Sequence, residues 1–192
     1  FHDSKITLDS KCIHYVVSKL QPYCISKAKR DVIGDAFEIF FGRNLRGGEG
    51  QFFTPKNVVQ LIIDILNPKP TDLIIDPACG SGGFLVSTLN HHLENNDVVK
   101  IKNLASKNIF GIEKDRFLSR IAKAYLTILG NGKAGVFCED SLETPSNWYD
   151  LTQDVIKYDK FDMVMTNPPF GAKIPISGKE KLSQFDLAHV WE

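Results

Sequence analysis

The sequence lacks the features that would place it in several large classes of protein. It has only four cysteines in 192 residues, and no two of them form a Cys-x-x-Cys pair. A disulfide framework or a zinc site is therefore not expected, and we predict reduced thiols and no bound metal. No apolar run approaches the ~18 residues of a membrane span, and no signal peptide opens the chain. We therefore expect a cytoplasmic protein with no membrane partner.

An excess of charge is also missing, because 23 basic side chains balance 23 acidic ones. Free-standing nucleic-acid binders usually have a basic excess, since phosphate contacts dominate their affinity. If this protein acts on DNA, much of the binding must come from a local patch or from another chain. The first residue is Phe1 rather than Met, which predicts a fragment or a trimmed chain.

Two regions of different pattern divide the sequence. Residues 11–41 have apolar side chains at helical spacing, and Pro22 predicts two helices rather than one. The second of these would bury a face made of Ile33, Ala36, Phe37 and Phe40. The glycine-rich stretch 42–50 is typical of a loop. We therefore expect a helical segment over residues 1–46 and an α/β domain over residues 47–192.

Helical and strand-like segments alternate after residue 51. Thr54 as cap and Pro55 in the first turn predict a helix start. The apolar face of that helix would consist of Val58, Val59, Leu61, Ile62, Ile65 and Leu66. Strands are predicted at 73–75, 108–112, 135–138 and 161–165, with helices at 84–93 and 116–129 and only a short helix within 141–160. This alternation predicts a Rossmann-like parallel sheet.

A polar residue follows each predicted strand: Asp76, Glu113, Asp140 and Asn167. Each could be a turn former when taken alone. In an open parallel sheet, however, all of them would lie at the carboxyl edge, where such folds bind their ligands.

The segment 76–84 (DPACGSGGF) predicts a glycine loop between a strand and a helix. The loop residues Pro77, Ala78, Gly80, Ser81 and Gly82 would let the backbone approach a ligand closely. The segment matches neither a P-loop nor a G-x-G-x-x-G motif. Asp76 would repel a pyrophosphate but attract an ammonium or a sulfonium, and S-adenosylmethionine carries both. Glu113 could accept ribose hydroxyls and Asp140 an adenine amino group, although NAD shares both moieties.

The segment 162–170 is the most specific in the chain, and it ends with Asn167-Pro168-Pro169-Phe170. The prolines fix the backbone, so that the Asn167 side-chain oxygen and the Pro168 carbonyl can accept from one amino group. Phe170 offers a ring for stacking, and the simpler alternative is a rigid turn with a buried phenylalanine. Two such acceptors would position an aromatic amine for methyl transfer and stabilise its developing positive charge. His91 and His92 are predicted to be surface residues rather than a general base.

Three segments together resemble the N-6 adenine DNA methyltransferases, most closely the modification subunit of type I restriction-modification systems. They are residues 50–55 (GQFFTP), 76–84 and 167–170, in the order of the family's gamma class. The resemblance spans about residues 31–171. It implies that the methionine part of the cofactor lies near Thr54, Pro55, Asp76, Gly80 and Gly82. It implies further that ribose lies at Glu113, the cofactor adenine at Asp140 and the target base at residues 167–170.

This resemblance implies a site-specific enzyme that methylates a flipped-out adenine of double-stranded DNA. Its partners would be a specificity subunit and a restriction subunit in a hetero-oligomer. The family's catalytic domain continues beyond residues 167–170, so the domain over residues 47–192 is expected to be incomplete at its carboxyl end. Alternatives are a fused type II enzyme or another phage-defence methyltransferase, a methyltransferase acting on protein glutamine or RNA, and a non-catalytic cofactor-binding scaffold.

Overall fold

The computed structural model describes residues 7–23, 54–95, 107–129, 135–169, 176 and 178–186. The helices are α1 (Ser10–Leu20), α2 (Lys56–Leu66), α3 (Gly83–Asn95), α4 (Arg116–Leu129), α5 (Asp150–Val155) and α6 (Lys179–Leu182), with a 3-10 turn at Pro145–Asn147. The strands are β1 (Ile74–Asp76), β2 (Ile109–Ile112), β3 (Gly135–Phe137) and β4 (Met163–Val164). None of the helices in these ranges is both long and apolar enough to cross a bilayer.

All four strands are parallel, in the order β3-β2-β1-β4. The chain leaves β1 toward β2 and β3 on one side and returns to β4 on the other side. The strand order therefore reverses beside β1, and the carboxyl ends of β1 and β4 form the crevice where α/β sheets bind ligands. This arrangement confirms the predicted Rossmann-like parallel sheet.

Both faces of the sheet are covered, which explains why β1 and β2 are buried along their whole length. Helices α2, α3 and α4 pack on one face, where Leu85, Ile109 and Leu126 belong to the same apolar cluster. The other face is covered by the segment after β3, where Trp148 and Ile156 pack against Ile75 and related side chains. Asp76, the last residue of β1, lies between these layers at the edge of the sheet.

The start of α2 differs from the prediction. Pro55 is the N-cap residue and no side chain caps the helix, so the predicted capping role of Thr54 is wrong. The Thr54 hydroxyl is instead engaged by a residue far along the chain, as described below. The buried face is also narrower than predicted, because only Val59 and Ile63 are buried, whereas Leu61 and Ile65 are exposed. Ile63, which was not in the predicted face, lies four residues after Val59, and residues four apart on a helix share a face.

Helix α1 ends before Pro22, where the proline predicted a break. The predicted second helix with Ile33, Ala36, Phe37 and Phe40 lies outside the described residues, as does the predicted loop 42–50. The surface position predicted for His92 is wrong, since its side chain is 1% exposed. It follows Thr88 by one helical turn on the buried face of α3, and burial lowers its pKa to about 4.

Candidate active site

The glycine loop depends on backbone conformations and contacts that only glycine permits. Gly80 and Gly82 have φ of 54° and 90°, in the left-handed region. Gly111 on β2 lies under the loop, where an added Cβ would approach Cys79 Sγ to 2.9 Å and Leu85 Cδ1 to 2.6 Å. The absence of a side chain at Gly111 therefore lets the loop and α3 pack directly onto the sheet.

A small cleft opens at the carboxyl ends of β1 and β4. Its polar wall contains predicted site residues from three separate parts of the chain: Thr54, Asp76, Ala78, Gly80, Ser81 and Asn167. The apolar part of the wall includes Val59, Cys79 and Phe84. Other predicted site residues do not line this cleft, namely Pro55, Pro77, Gly82, Glu113, Asp140, Pro168 and Pro169. Phe170 lies outside the described residues.

Glu113 follows β2 and holds the glycine loop from beside the cleft. Its Oε2 accepts a hydrogen bond of 2.8 Å from the Gly80 amide. Its Oε1 accepts one of 2.7 Å from the Asp115 amide. One carboxylate thus fixes the relative position of the loops after β1 and β2, and each of its oxygens retains a lone pair for a further donor.

Asp140 lies farther along the same edge and pairs with a residue that the sequence analysis did not identify. Its Oδ2 is 2.8 Å from Lys114 Nζ, and its Oδ1 accepts a 3.1 Å hydrogen bond from the Leu142 amide. The Asp140 carbonyl accepts from the Trp148 indole at 2.9 Å. These contacts connect the loops after β2 and β3. The only sequence signal for Lys114 is its position directly after the strand-end residue Glu113.

Asn167, after β4, reaches across the cleft to the start of α2. Its Nδ2 donates a 2.9 Å hydrogen bond to Thr54 Oγ1. The side-chain oxygen of Asn167 accepts from no described residue, so it is available to a ligand. Pro168 and Pro169 follow as exposed residues.

Asp76 is the most strongly perturbed acid at this edge. Its side chain is 2% exposed, and burial raises its pKa from 3.8 to about 6. The Thr166 hydroxyl and the Ala78 amide lower the pKa in part, whereas the neighbouring Glu113 carboxylate raises it. The ionised form of Asp76 is therefore costly in the free protein, and a bound cation would stabilise it.

The model of the family described as N-6 DNA Methylase matches residues 28–190. The chain belongs to the N-6 DNA methylase family. This membership confirms the resemblance drawn from the three sequence segments. The match begins ahead of the domain boundary predicted at residues 46 and 47, a boundary that lies outside the described residues and stays a prediction.

This N-6 DNA methylase is similar in sequence to two curated relatives, among others. The Type I restriction enzyme MjaIX methylase subunit of Methanocaldococcus jannaschii is 33% identical over 168 residues, which are 85% of this chain and 27% of the relative. The Type II restriction enzyme and methyltransferase RM.BcgI of Heyndrickxia coagulans is 26% identical over 175 residues, 85% of this chain and 26% of the relative. The chain thus spans about a quarter of the length of these proteins.

The N-6 DNA methylase chain is also similar to a solved structure. A Vibrio vulnificus YJ016 protein, assigned as a modification subunit of a type I restriction enzyme, superposes with a TM-score of 0.64 at 26% identity. The superposition covers 82% of this chain and 32% of the Vibrio protein. The fold of this chain is therefore shared with a relative of known structure.

Proposed function

We propose that this protein is a site-specific DNA adenine-N6 methyltransferase that uses S-adenosylmethionine and serves as the modification subunit of a type I restriction-modification system. One observation carries the proposal: Asp76, at the end of β1, and Asn167, after β4, line the same cleft. The first residue suits a cationic cofactor and the second an amino group. A cleft that contains both residues at the ends of adjacent strands could hold the cofactor and the amino group side by side, as methyl transfer requires.

The residues of the cleft fit the proposed cofactor. No cation among the described residues contributes to the pKa of Asp76, so this buried carboxyl lacks the positive charge that an ammonium and a sulfonium would supply. S-adenosylmethionine, when bound, supplies an electrophilic methyl group. We assign its methionine part to Thr54, Pro55, Asp76 and the loop residues Pro77, Ala78, Gly80, Ser81 and Gly82. Ribose is assigned to Glu113 and the adenine to Asp140.

We assign the target base to residues 167–170, namely Asn167, Pro168, Pro169 and Phe170. The Asn167 amide nitrogen donates to Thr54, which leaves the amide oxygen as the acceptor for the exocyclic amine of adenine. An acceptor held in this way orients the amine and stabilises the positive charge that develops on its nitrogen. The base must leave the duplex before it can enter such a cleft.

The proposed partners are double-stranded DNA, a specificity subunit and a restriction subunit in a cytoplasmic hetero-oligomer. Two observations support them: the balanced charge of the chain, and relatives named as methylase subunits of restriction enzymes. The balance of 23 basic and 23 acidic residues fits a protein that shares its contacts to DNA with another subunit. We assign residues 47–192 to the catalytic domain and residues 1–46 to a helical segment preceding it.

Transfer of tritiated methyl groups from S-adenosylmethionine tests this function. The intact protein, with its specificity subunit, is offered double-stranded DNA, RNA and protein, and the label is traced to N6-methyladenine. Asn167→Ala is expected to abolish transfer and leave cofactor affinity unchanged, whereas Asn57→Ala, an exposed position on α2, is the matched control. Label only in protein or RNA would contradict the DNA assignment. Cofactor binding with no label in any acceptor would indicate a scaffold.

A further inference from the structure

Two consecutive residues after β2 hold the loops on both sides of that strand. β2 lies between β1 and β3, and the Glu113 amide donates a 3.0 Å hydrogen bond to the Phe137 carbonyl at the end of β3. On the β1 side, the Glu113 carboxylate accepts from the Gly80 amide at 2.8 Å. On the β3 side, Lys114 Nζ is 2.8 Å from Asp140 Oδ2. Neighbouring side chains therefore connect the cleft wall, to which Gly80 belongs, with Asp140.

The Asp140 carboxylate is held at both of its oxygens. Lys114 Nζ contacts Oδ2, and the Leu142 amide donates to Oδ1 at 3.1 Å. The Leu142 contact is local to the loop after β3, whereas the lysine comes from the loop after β2. A carboxylate oxygen can accept more than one hydrogen bond, so each oxygen retains a lone pair for a further donor. The two contacts thus orient the carboxylate and leave it able to accept from a ligand.

Lys114 is the cation in contact with Asp140 among the described residues. The other lysine close to this carboxylate is Lys181, whose ammonium pairs with Glu143 instead. The Lys114 side chain is 63% exposed and that of Asp140 is 31% exposed. An ion pair as exposed as this contributes little to folding stability. Its main consequence is therefore the orientation of the Asp140 carboxylate.

We propose that Lys114 is a positioning residue that orients the Asp140 carboxylate toward the exocyclic amine of the cofactor's adenine. This inference rests on the proposed function, which assigns the adenine to Asp140. A site built to hydrogen-bond an amine rejects a ligand that lacks it, and a carboxylate that turns freely discriminates less well. The competing view is that the ion pair is an incidental contact between two surface side chains.

Lys114→Met separates these views in the full-length, cofactor-free protein, because methionine keeps an apolar stem and removes the charge. Lys114→Arg keeps the charge, and Lys123→Met, at an exposed position on α4, is the control. Hydrogen exchange of the Leu142 amide, followed by NMR, is expected to become faster in Lys114→Met alone. The Trp148 indole donates to the backbone carbonyl of Asp140 at 2.9 Å, so its signal should not change.

Two nucleosides provide the second readout: adenosine, and purine riboside, which lacks the exocyclic amine. The wild type should bind adenosine more tightly, as measured by NMR titration. This preference should shrink about two- to fivefold in Lys114→Met, the range that an exposed ion pair usually contributes. It should return to the wild-type value in Lys114→Arg and be unaffected in Lys123→Met.

Three results would overturn the positioning role of Lys114. They are an unchanged Leu142 exchange rate in Lys114→Met, an equal loss of affinity for both nucleosides, and a simultaneous shift of the Trp148 indole, which would show that the whole loop has moved. Failure of the proposed function looks different. Faster exchange at Leu142 in Lys114→Met, in a protein that binds neither nucleoside nor S-adenosylmethionine, would support the coupling of Lys114 to Asp140 and contradict the proposed cofactor.

Discussion

Asn167 Nδ2 donates a hydrogen bond of 2.9 Å to Thr54 Oγ1 and so joins residues that are 113 positions apart. This contact explains why Thr54 does not cap α2, because its hydroxyl accepts from Asn167 instead. It also sets the orientation of the Asn167 amide, whose oxygen is left for a ligand. A side-chain hydrogen bond therefore joins two parts of the cleft wall, the start of α2 and the segment after β4.

Thr54→Val removes the acceptor of this hydrogen bond while keeping the shape of the side chain. We expect the free energy of unfolding to fall by about 1 kcal/mol, the usual contribution of one such bond. The turnover number should fall by about tenfold or more, because the Asn167 amide loses its orientation. Steady-state methylation kinetics and urea unfolding provide the measurements. Thr71→Val, at an exposed position, is the control, and an unchanged turnover number in Thr54→Val would contradict the role of this contact.

The stability of the free protein should depend on the protonation of Asp76. Its folded-state pKa of about 6 lies above the ordinary value of 3.8, so folding favours the protonated form. The contribution of Asp76 to stability is therefore full below pH 3.8 and is lost as the pH rises through about 6. At pH 8, Asp76→Asn should be more stable than the wild type by up to about 3 kcal/mol, since one pKa unit corresponds to about 1.4 kcal/mol.

Urea unfolding of both proteins between pH 4 and pH 8 measures this difference. The two stability curves should approach each other at pH 4, separate progressively between pH 4 and about pH 6, and keep a constant difference at higher pH. Cofactor affinity should change in the opposite direction, because the asparagine cannot balance a positive charge. Parallel curves over the whole range would show that Asp76 ionises freely in the folded protein and would contradict the electrostatic argument.

Gly111→Ala tests the close packing of the glycine loop on β2. The added Cβ would lie 2.9 Å from Cys79 Sγ and 2.6 Å from Leu85 Cδ1, and both side chains are buried. We expect a loss of about 1–3 kcal/mol in the free energy of unfolding. Gly83→Ala is the control, since nothing lies within 4 Å of a Cβ at that position and alanine favours the helix. Equal stability of the two variants would show that the loop can move away from β2.

Glu113→Gln separates the two effects of Glu113 on the cleft. Removing the negative charge should lower the pKa of Asp76, because the Glu113 carboxylate raises it. Replacing one carboxylate oxygen by a donor should also weaken the contacts to the Gly80 and Asp115 amides and thus reduce cofactor affinity. Glu139→Gln is the matched control, as Glu139 accepts from the Tyr149 amide on a different loop. An Asp76 titration midpoint that is the same in both variants would contradict this assignment.

Local patterns predicted much of the fold. Helix α4 has the predicted bounds, because Leu118, Ala122, Leu126 and Leu129 repeat at helical spacing and all are buried. Short apolar runs predicted where the strands lie but not where they end. β1 extends to Asp76 instead of ending at residue 75, and β4 is limited to Met163–Val164 instead of spanning 161–165. Strand ends depend on which neighbour supplies hydrogen bonds, and a single sequence does not contain that information.

Side-chain partners that are distant in sequence were not predictable in the same way. The Lys114–Asp140 ion pair and the Thr54–Asn167 hydrogen bond both depend on how the strand ends meet in space. The burial of His92 depends on the packing of α3 against its neighbours. For the site, the sequence identified the residue types and their order along the chain, whereas the structure is needed to see which of them share a wall of the cleft.

Amide NMR of the labelled protein tests the shared cleft most directly. On addition of S-adenosylmethionine, we predict signal shifts for Gly80 and Ser81, together with the side-chain amide of Asn167. A later addition of DNA that contains the target adenine should shift the Asn167 side-chain signal further and leave Gly80 nearly unchanged. Shifts that cluster on the opposite face of the sheet, around Trp148 and α5, would contradict a common site for cofactor and base.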